Sequence, residues 1–233
     1  MNTNKKTARI VGVLFIIATV LGALSLFVFL EPSLDDPDYL TNVSANENQI
    51  IIGAVLSLIM VFAIAMIPVM MFPIFKKHNE ALALGYVVFR VLEVVTGIAL
   101  VIIYLLLLTL SQEYVNAGSP DASHFQTSGT LLLQADDWIN YVMTIVFSLG
   151  ALMFYYLWYQ SKLIPRFLSV WGLIGATLTL PVGLLCMFGL ITELSALGLI
   201  LALPLALNEI FLAVWLIVKG FNSSAIASES VNA

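Results

Sequence analysis

Six long apolar runs, separated by short polar stretches, set the pattern of this chain. A bilayer's hydrocarbon core is roughly 30 Å thick, so a helix that crosses it needs about 20 mainly apolar residues. The runs cover positions 10–30, 49–74, 81–110, 138–159, 167–190 and 194–218, and each is long enough to span. They predict an all-α integral membrane bundle of about six transmembrane helices. The polar segment 31–47, with Pro32 and Pro37, reads as a connection, and 75–80 and 161–166 read as short basic turns. The longest connection, 111–130, carries Gly118, Pro120 and Asp121 as turn signals, and 131–135 predicts a short interfacial helix before the fourth span. Pro68 and Pro73 each remove a backbone donor, which predicts a kink or an early end to the second helix.

The first run follows Lys5, Lys6 and Arg9, as a signal peptide's apolar stretch would. It is longer than the roughly 7 to 15 residues of such a stretch and no A-x-A site follows, so it is expected to be an uncleaved first helix. Composition agrees with lipid as the main solvent. Hydrophobic residues make up 61% of the 233 and charged residues 10%, where a soluble domain carries roughly 25% charged. Mean hydropathy is +1.04, and no polar block is long enough for a soluble domain. One transmembrane domain, 1–221, and a disordered cytoplasmic tail, 222–233, follow from this reading.

The net charge of −5 is unevenly distributed. Lys5, Lys6, Arg9, Lys76, Lys77, Lys162, Arg166 and Lys219 fall at the N-terminus, in the second and fourth connections and at the C-terminal junction. The other three connections hold Glu31, Asp35, Asp36, Asp38, Glu47, Glu113, Asp121, Asp136, Asp137 and Glu193. Cytoplasmic loops carry the excess of positive charge, so both termini are expected in the cytoplasm and the protein in the plasma membrane. Tyr155, Tyr156, Trp158 and Tyr159 are expected near the basic interface, with Trp138 and Tyr141 at the other.

Three ionisable residues interrupt the spans: Arg90, Glu93 and Glu209. Within hydrocarbon each costs roughly 2.5 to 3.5 kcal/mol on insertion scales, so each needs a partner or water. Arg90 and Glu93 are three apart and share a helical face. At about 1.5 Å of rise per residue, Arg90 and Glu209 lie about 14 and 15 Å from the basic surface, at matching depth. This predicts that Arg90 bridges Glu93 and Glu209, with Asn208, Tyr86 and Thr96 as hydrogen-bond partners. Arginine suits a two-carboxylate clamp because it stays charged and offers five donors. Both a structural pin between the third and sixth spans and a binding site remain open at this point.

Asp136, Asp137 and Asn140 at the outer mouth of the fourth span form the next candidate. Neighbouring helical residues diverge by about 100°, so the two aspartates do not readily share one narrow site and fit a boundary marker. A cation-attracting entrance is the alternative. His78 and His124 fall on opposite sides, so they cannot share a zinc or haem site. Cys186 is the only cysteine, which rules out an internal disulfide and a cysteine metal cluster. Met60, Met66, Met70 and Met71 read as packing or lipid-facing residues. Ala18 with Gly22, and Gly172 with Ala176, are small pairs four apart that fit close helix contacts. Asn42-Val43-Ser44 matches a glycosylation acceptor, a weak signal. No phosphate loop, nucleophile elbow, metal-ligand set or basic nucleic-acid patch is present.

Several stretches taken together carry a resemblance. They are Lys5-Lys6-Thr7-Ala8-Arg9-Ile10-Val11-Gly12, Tyr86 through Glu93, Leu168-Ser169-Val170-Trp171-Gly172, and Asn208-Glu209 with Ala213-Val214-Trp215-Leu216. They resemble the bacterial and archaeal membrane family catalogued as domain of unknown function 4386, over nearly the whole chain. The resemblance implies a multi-helix membrane domain and no activity; the family's embedded Arg/Glu and Asn-Glu motifs look matched by Arg90, Glu93, Asn208 and Glu209. The leading expectation is a non-enzymatic helix bundle that binds a small apolar or amphipathic ligand or lipid, with the Arg90 cluster as polar anchor. A small proton- or cation-coupled transporter or channel is the second expectation, and an intramembrane enzyme using Asp136 and Asp137 the weakest. No cofactor, metal or nucleic acid is expected; membrane lipids are the expected partners and a homo-oligomer is open. Three spans in each half allow an inverted repeat, but little besides the embedded polar residues matches between the halves.

Overall fold

Each of the six apolar runs forms a helix long enough to cross a bilayer in the computed structural model, which describes residues 3–117 and 122–222. Helix α1 (Thr3–Ala23) continues through a seven-residue π-helical turn (Leu24–Leu30) into the short α2 (Glu31–Leu34). Then come α3 (Tyr39–Ala45), α4 (Glu47–Phe75), α5 (Glu80–Ala117), α6 (Ala122–Ser161), α7 (Arg166–Met187) and α8 (Ala196–Val218). No strand occurs among the described residues. The turn signals Gly118, Pro120 and Asp121, and all of the expected tail 222–233 except Asn222, lie outside the described residues.

Several boundaries differ from the sequence expectation, for physical reasons. Segment 31–47 is largely helical: α3 packs on α5, and the Tyr39 hydroxyl donates to the Gln126 carbonyl at 3.4 Å. The expected interfacial helix at 131–135 is instead the continuous interior of the 40-residue α6. Helix α5 likewise runs seven residues past its expected end at Leu110. Both extensions are polar, and a hydrocarbon-length criterion does not count helix that emerges into water. Pro68 and Pro73 do not end α4 early; the helix runs to Phe75, where Lys76 N–H bonds the Phe72 carbonyl.

The π turn is held from α4. Its wider winding leaves carbonyls to be satisfied from outside, and Gln49 Nε2 donates to Phe29 O at 3.0 Å. Ser25 Oγ donates to Gly53 O and meets Ser57 Oγ, both at 2.7 Å. Such turns recur at functional sites in helices.

The long helices close into a ring, α1 to α4 to α5 to α6 to α7 to α8 and back to α1. Large apolar side chains such as Val20, Phe62, Val69, Val95, Ile200 and Phe211 cover its outside. In water such a surface would aggregate; in lipid it is solvated, and the chain is a multi-pass membrane protein. Asn222 donates to the Lys162 carbonyl at 2.7 Å, which ties the end of α8 to the α6–α7 turn. That end also lies beside Ala8 and Lys5, so the first turns of α1 and the end of α8 meet at the basic end of the bundle.

An aromatic core fills the basic half. Phe75 meets Trp158 edge-on at 5.1 Å, and Tyr86 stacks on Phe154 at 4.9 Å. Tyr155 and Trp158 are fully buried here, so of the four aromatics expected at the interface only Tyr156 and Tyr159 are exposed. Residues 155 and 158 are three apart and share the inward face of α6, whereas 156 and 159 share the outward one.

Candidate functional site

Helix α5 presents Arg90 and Glu93 on one inward face, one turn apart. Arg90 Nη1 donates to both carboxylate oxygens of Glu93, at 3.0 and 2.8 Å. Glu209 arrives from α8, which is not a neighbour of α5 in the ring, and places Oε1 at 3.9 Å from Arg90 Nη2. The two-carboxylate arrangement expected from matched depth is therefore formed, but unequally. Glu93 is bonded, whereas Glu209 stands beyond hydrogen-bond range. Arg90 is 2% exposed and Glu93 7%, while the Glu209 side chain keeps 18% of its surface accessible.

Aromatic rings flank the guanidinium. Tyr86, one turn earlier on α5, and Phe147 of α6 each lie 5.5 Å from Arg90 Cζ, within cation–π range. Nε and Nη2 of Arg90 find no hydrogen-bond partner among the described residues, nor do the buried Tyr86 and Tyr155 hydroxyls. Buried polar atoms without partners are uncommon and costly, and they mark this centre as unlike an ordinary core.

The other expected partners serve elsewhere. Asn208 is fully buried, but its Nδ2 donates to the Leu168 carbonyl of α7 at 3.0 Å, which pins α8 to α7. Thr96 bonds back to its own helix, to the Glu93 carbonyl at 2.9 Å and the Leu92 carbonyl at 3.2 Å. Neither hydrogen-bonds Arg90; a threonine hydroxyl inside a helix finds the preceding carbonyls first.

Beside the ion cluster lies a cavity of about 260 Å³. Its walls come from α1 (Phe15, Ala18, Thr19, Gly22), α4 (Met60, Ile64, Ile67) and α6 (Phe147), and Arg90, Glu93 and Glu209 form its polar side. A second cavity of about 230 Å³ shares Met60, Ile64, Glu93 and Phe147 with the first and runs on past Gly97 and Met143 to Thr144. Sequence reasoning found the ions and not these walls. The Ala18–Gly22 pair, read as a close helix contact, was the one available signal, since small residues also leave room on the inward face of α1; Met60 read as a packing or lipid-facing residue.

Thr144 leads toward the acidic end, where its hydroxyl donates to Glu193 Oε1 at 3.0 Å. Glu193, in the connection between α7 and α8, was not singled out from the sequence, because pairing across 49 positions leaves no local pattern. Asn140 donates to the Asp136 backbone carbonyl at 3.1 Å. Among the described residues no three His, Cys, Asp or Glu side chains converge to hold a metal ion.

Burial raises the Glu193 carboxyl above its ordinary value of 4.5; the Thr144 hydrogen bond opposes that rise and Asp137 adds to it. Just above pH 4.5 the folded state then keeps a proton that the unfolded chain has released, so this group's contribution to stability falls as pH rises through that interval. Glu193→Gln removes the titration. In thermal unfolding across pH 4 to 8, the variant should gain on the parent as pH climbs from 4.5 and then run parallel. A constant offset at every pH would show that Glu193 does not sense its burial.

No curated protein and no solved structure matches this chain. The profile of a family described as Domain of unknown function (DUF4386) matches residues 10–220, from within α1 to just past α8, and so takes in the whole ring and its ion cluster. The chain belongs to that family.

Proposed function

We propose that this protein is a non-enzymatic plasma-membrane bundle, its termini cytoplasmic, that binds a small amphipathic molecule in the central cavity with the Arg90 cluster as polar anchor. One observation carries the reading: the cavity of about 260 Å³ has walls from α1, α4 and α6 that are apolar apart from Thr19, and one charged side made by Arg90, Glu93 and Glu209. Ligand sites are generally concave, mostly apolar and equipped with a few fixed polar groups. The volume sits just below the usual range of about 300 to 1,000 Å³, which favours a small ligand. A plain structural pin would need no space beside it, since close-packed interiors leave few voids larger than a water.

Native mass spectrometry of the purified chain tests the proposal. A small molecule should be retained by the parent protein and lost on Ala18→Phe, which puts a ring into the cavity from α1. Ala18 lies on the wall and makes none of the polar contacts, so the variant should still elute as a single species. Retention of the same molecule by the filled variant would place the ligand elsewhere.

A second reading, a proton- or cation-coupled transporter, is supported by the ratio of two carboxylates to one arginine and by the second cavity's extension toward Thr144 and Glu193. Its test is flux in liposomes that depends on a pH difference and is lost in Glu209→Gln.

A further inference from the structure

Formal charge at the cavity does not balance. With all three groups ionised, Arg90 faces Glu93 and Glu209, which leaves one negative charge deep in a low-dielectric ring. Uncompensated charge there is costly, and the group best placed to receive compensation is Glu209. Glu93 already accepts two hydrogen bonds from Nη1, whereas Glu209 has Nη2 only at 3.9 Å and turns its accessible surface to the cavity. We infer that the cavity's ligand is a small amphipathic amine whose ammonium group hydrogen-bonds Glu209 and whose apolar body lies against Phe15, Met60, Ile64 and Phe147. The inference rests on the ligand-binding reading above and names the chemical class for it.

Three considerations favour an organic cation. An inorganic cation such as Ca²⁺ needs six to eight oxygen ligands. Here the cavity offers the Glu209 carboxylate, the Thr19 hydroxyl and a Glu93 carboxylate already engaged by Arg90. An ammonium with one apolar substituent needs about three acceptors and otherwise prefers apolar and aromatic walls, which Phe15 and Phe147 supply. An anion would meet two carboxylates for one arginine, and although Arg90 Nε and Nη2 are unpartnered, Glu209 stands next to Nη2. A hydroxyl beside the ammonium would accept from Nη2 and so use the free edge of the guanidinium.

Three probes of similar shape separate these cases: 2-phenylethylamine, 2-phenylethanol and phenylacetate, titrated calorimetrically into the detergent-solubilised full chain at neutral pH. The amine should bind at least tenfold more tightly than the alcohol, and phenylacetate should not bind. Glu209→Gln should weaken the amine tenfold or more and change the alcohol by less than about twofold, while Ala18→Phe abolishes both. The comparison of probes on the parent protein stands even if the Glu209 variant fails to fold. Should the alcohol bind as well as the amine, or phenylacetate bind more tightly, the amine assignment is overturned while the cavity remains a ligand site. If no probe binds and no small molecule is retained by the purified protein, both readings fall together.

Discussion

An Arg90→Met variant is expected to lose its native fold in detergent, unfolding roughly 10 to 20 degrees below the parent or eluting as aggregate. The change removes the cation that faces Glu93 and Glu209 and leaves two carboxylates inside the ring. Removing one partner of a buried pair typically costs about 3 to 5 kcal/mol, and here a single residue serves two acids. That is a large share of the roughly 5 to 15 kcal/mol by which most domains are stable. The cause is charge and not lost contact area, so removing the acids as well should restore the fold. A triple variant, Arg90→Met with Glu93→Gln and Glu209→Gln, should return most of the lost stability, because neutral replacements of buried ion clusters are often harmless or stabilising. Glu209→Gln alone leaves the neutral Arg90–Glu93 pair and should be at least as stable as the parent. Thermal unfolding followed by near-ultraviolet dichroism, with size-exclusion profiles, reads all three. An Arg90→Met protein that unfolds with the parent would show that the two carboxylates do not depend on this cation.

What the sequence made legible was set by lipid. Six apolar runs predicted six spans, and the depth of Arg90 and Glu209, counted from the basic end at a fixed rise, predicted that they meet; they stand 3.9 Å apart. Such counting works because a helix converts sequence distance to depth with little error. Rotation about the helix axis is another matter. Asn208 and Glu209 are adjacent, yet one faces the Leu168 carbonyl of α7 and the other faces the cavity, a division fixed by how α8 seats between α7 and α1. Tyr155 and Trp158 went inward for the same reason, against the interfacial placement that composition predicted. The cavity itself is a property of five helices at once, and no single run records it.

Closure of the ring at α1 and α8 carries the second large effect. Gly12 of α1 lies against the backbone of α8, and a methyl group in its place would come 2.6 Å from the Ala213 carbonyl oxygen and 2.8 Å from Ile217 Cγ1. A carbonyl inside a helix cannot swing away as a side-chain tip can, so even alanine forces the helices apart by several tenths of an ångström. Overpacking of this kind typically costs about 1 to 3 kcal/mol. Gly12→Leu should sit at or above the top of that range and Gly12→Ala near the bottom. Glu209 is one turn before Ala213 and shares its face of α8, so the displacement that relieves the clash also moves Glu209 relative to Arg90. The leucine variant is therefore expected to lose both thermal stability and the retained small molecule, in step. Val13→Leu is the control, because Val13 is 45% exposed and belongs to the lipid-facing surface, where a substitution should change stability by less than about 0.5 kcal/mol. If Gly12→Leu unfolded at the same temperature as Val13→Leu, the contact between α1 and α8 would not be what closes the ring, and the position of Glu209 would have to be set by α7 alone through Asn208.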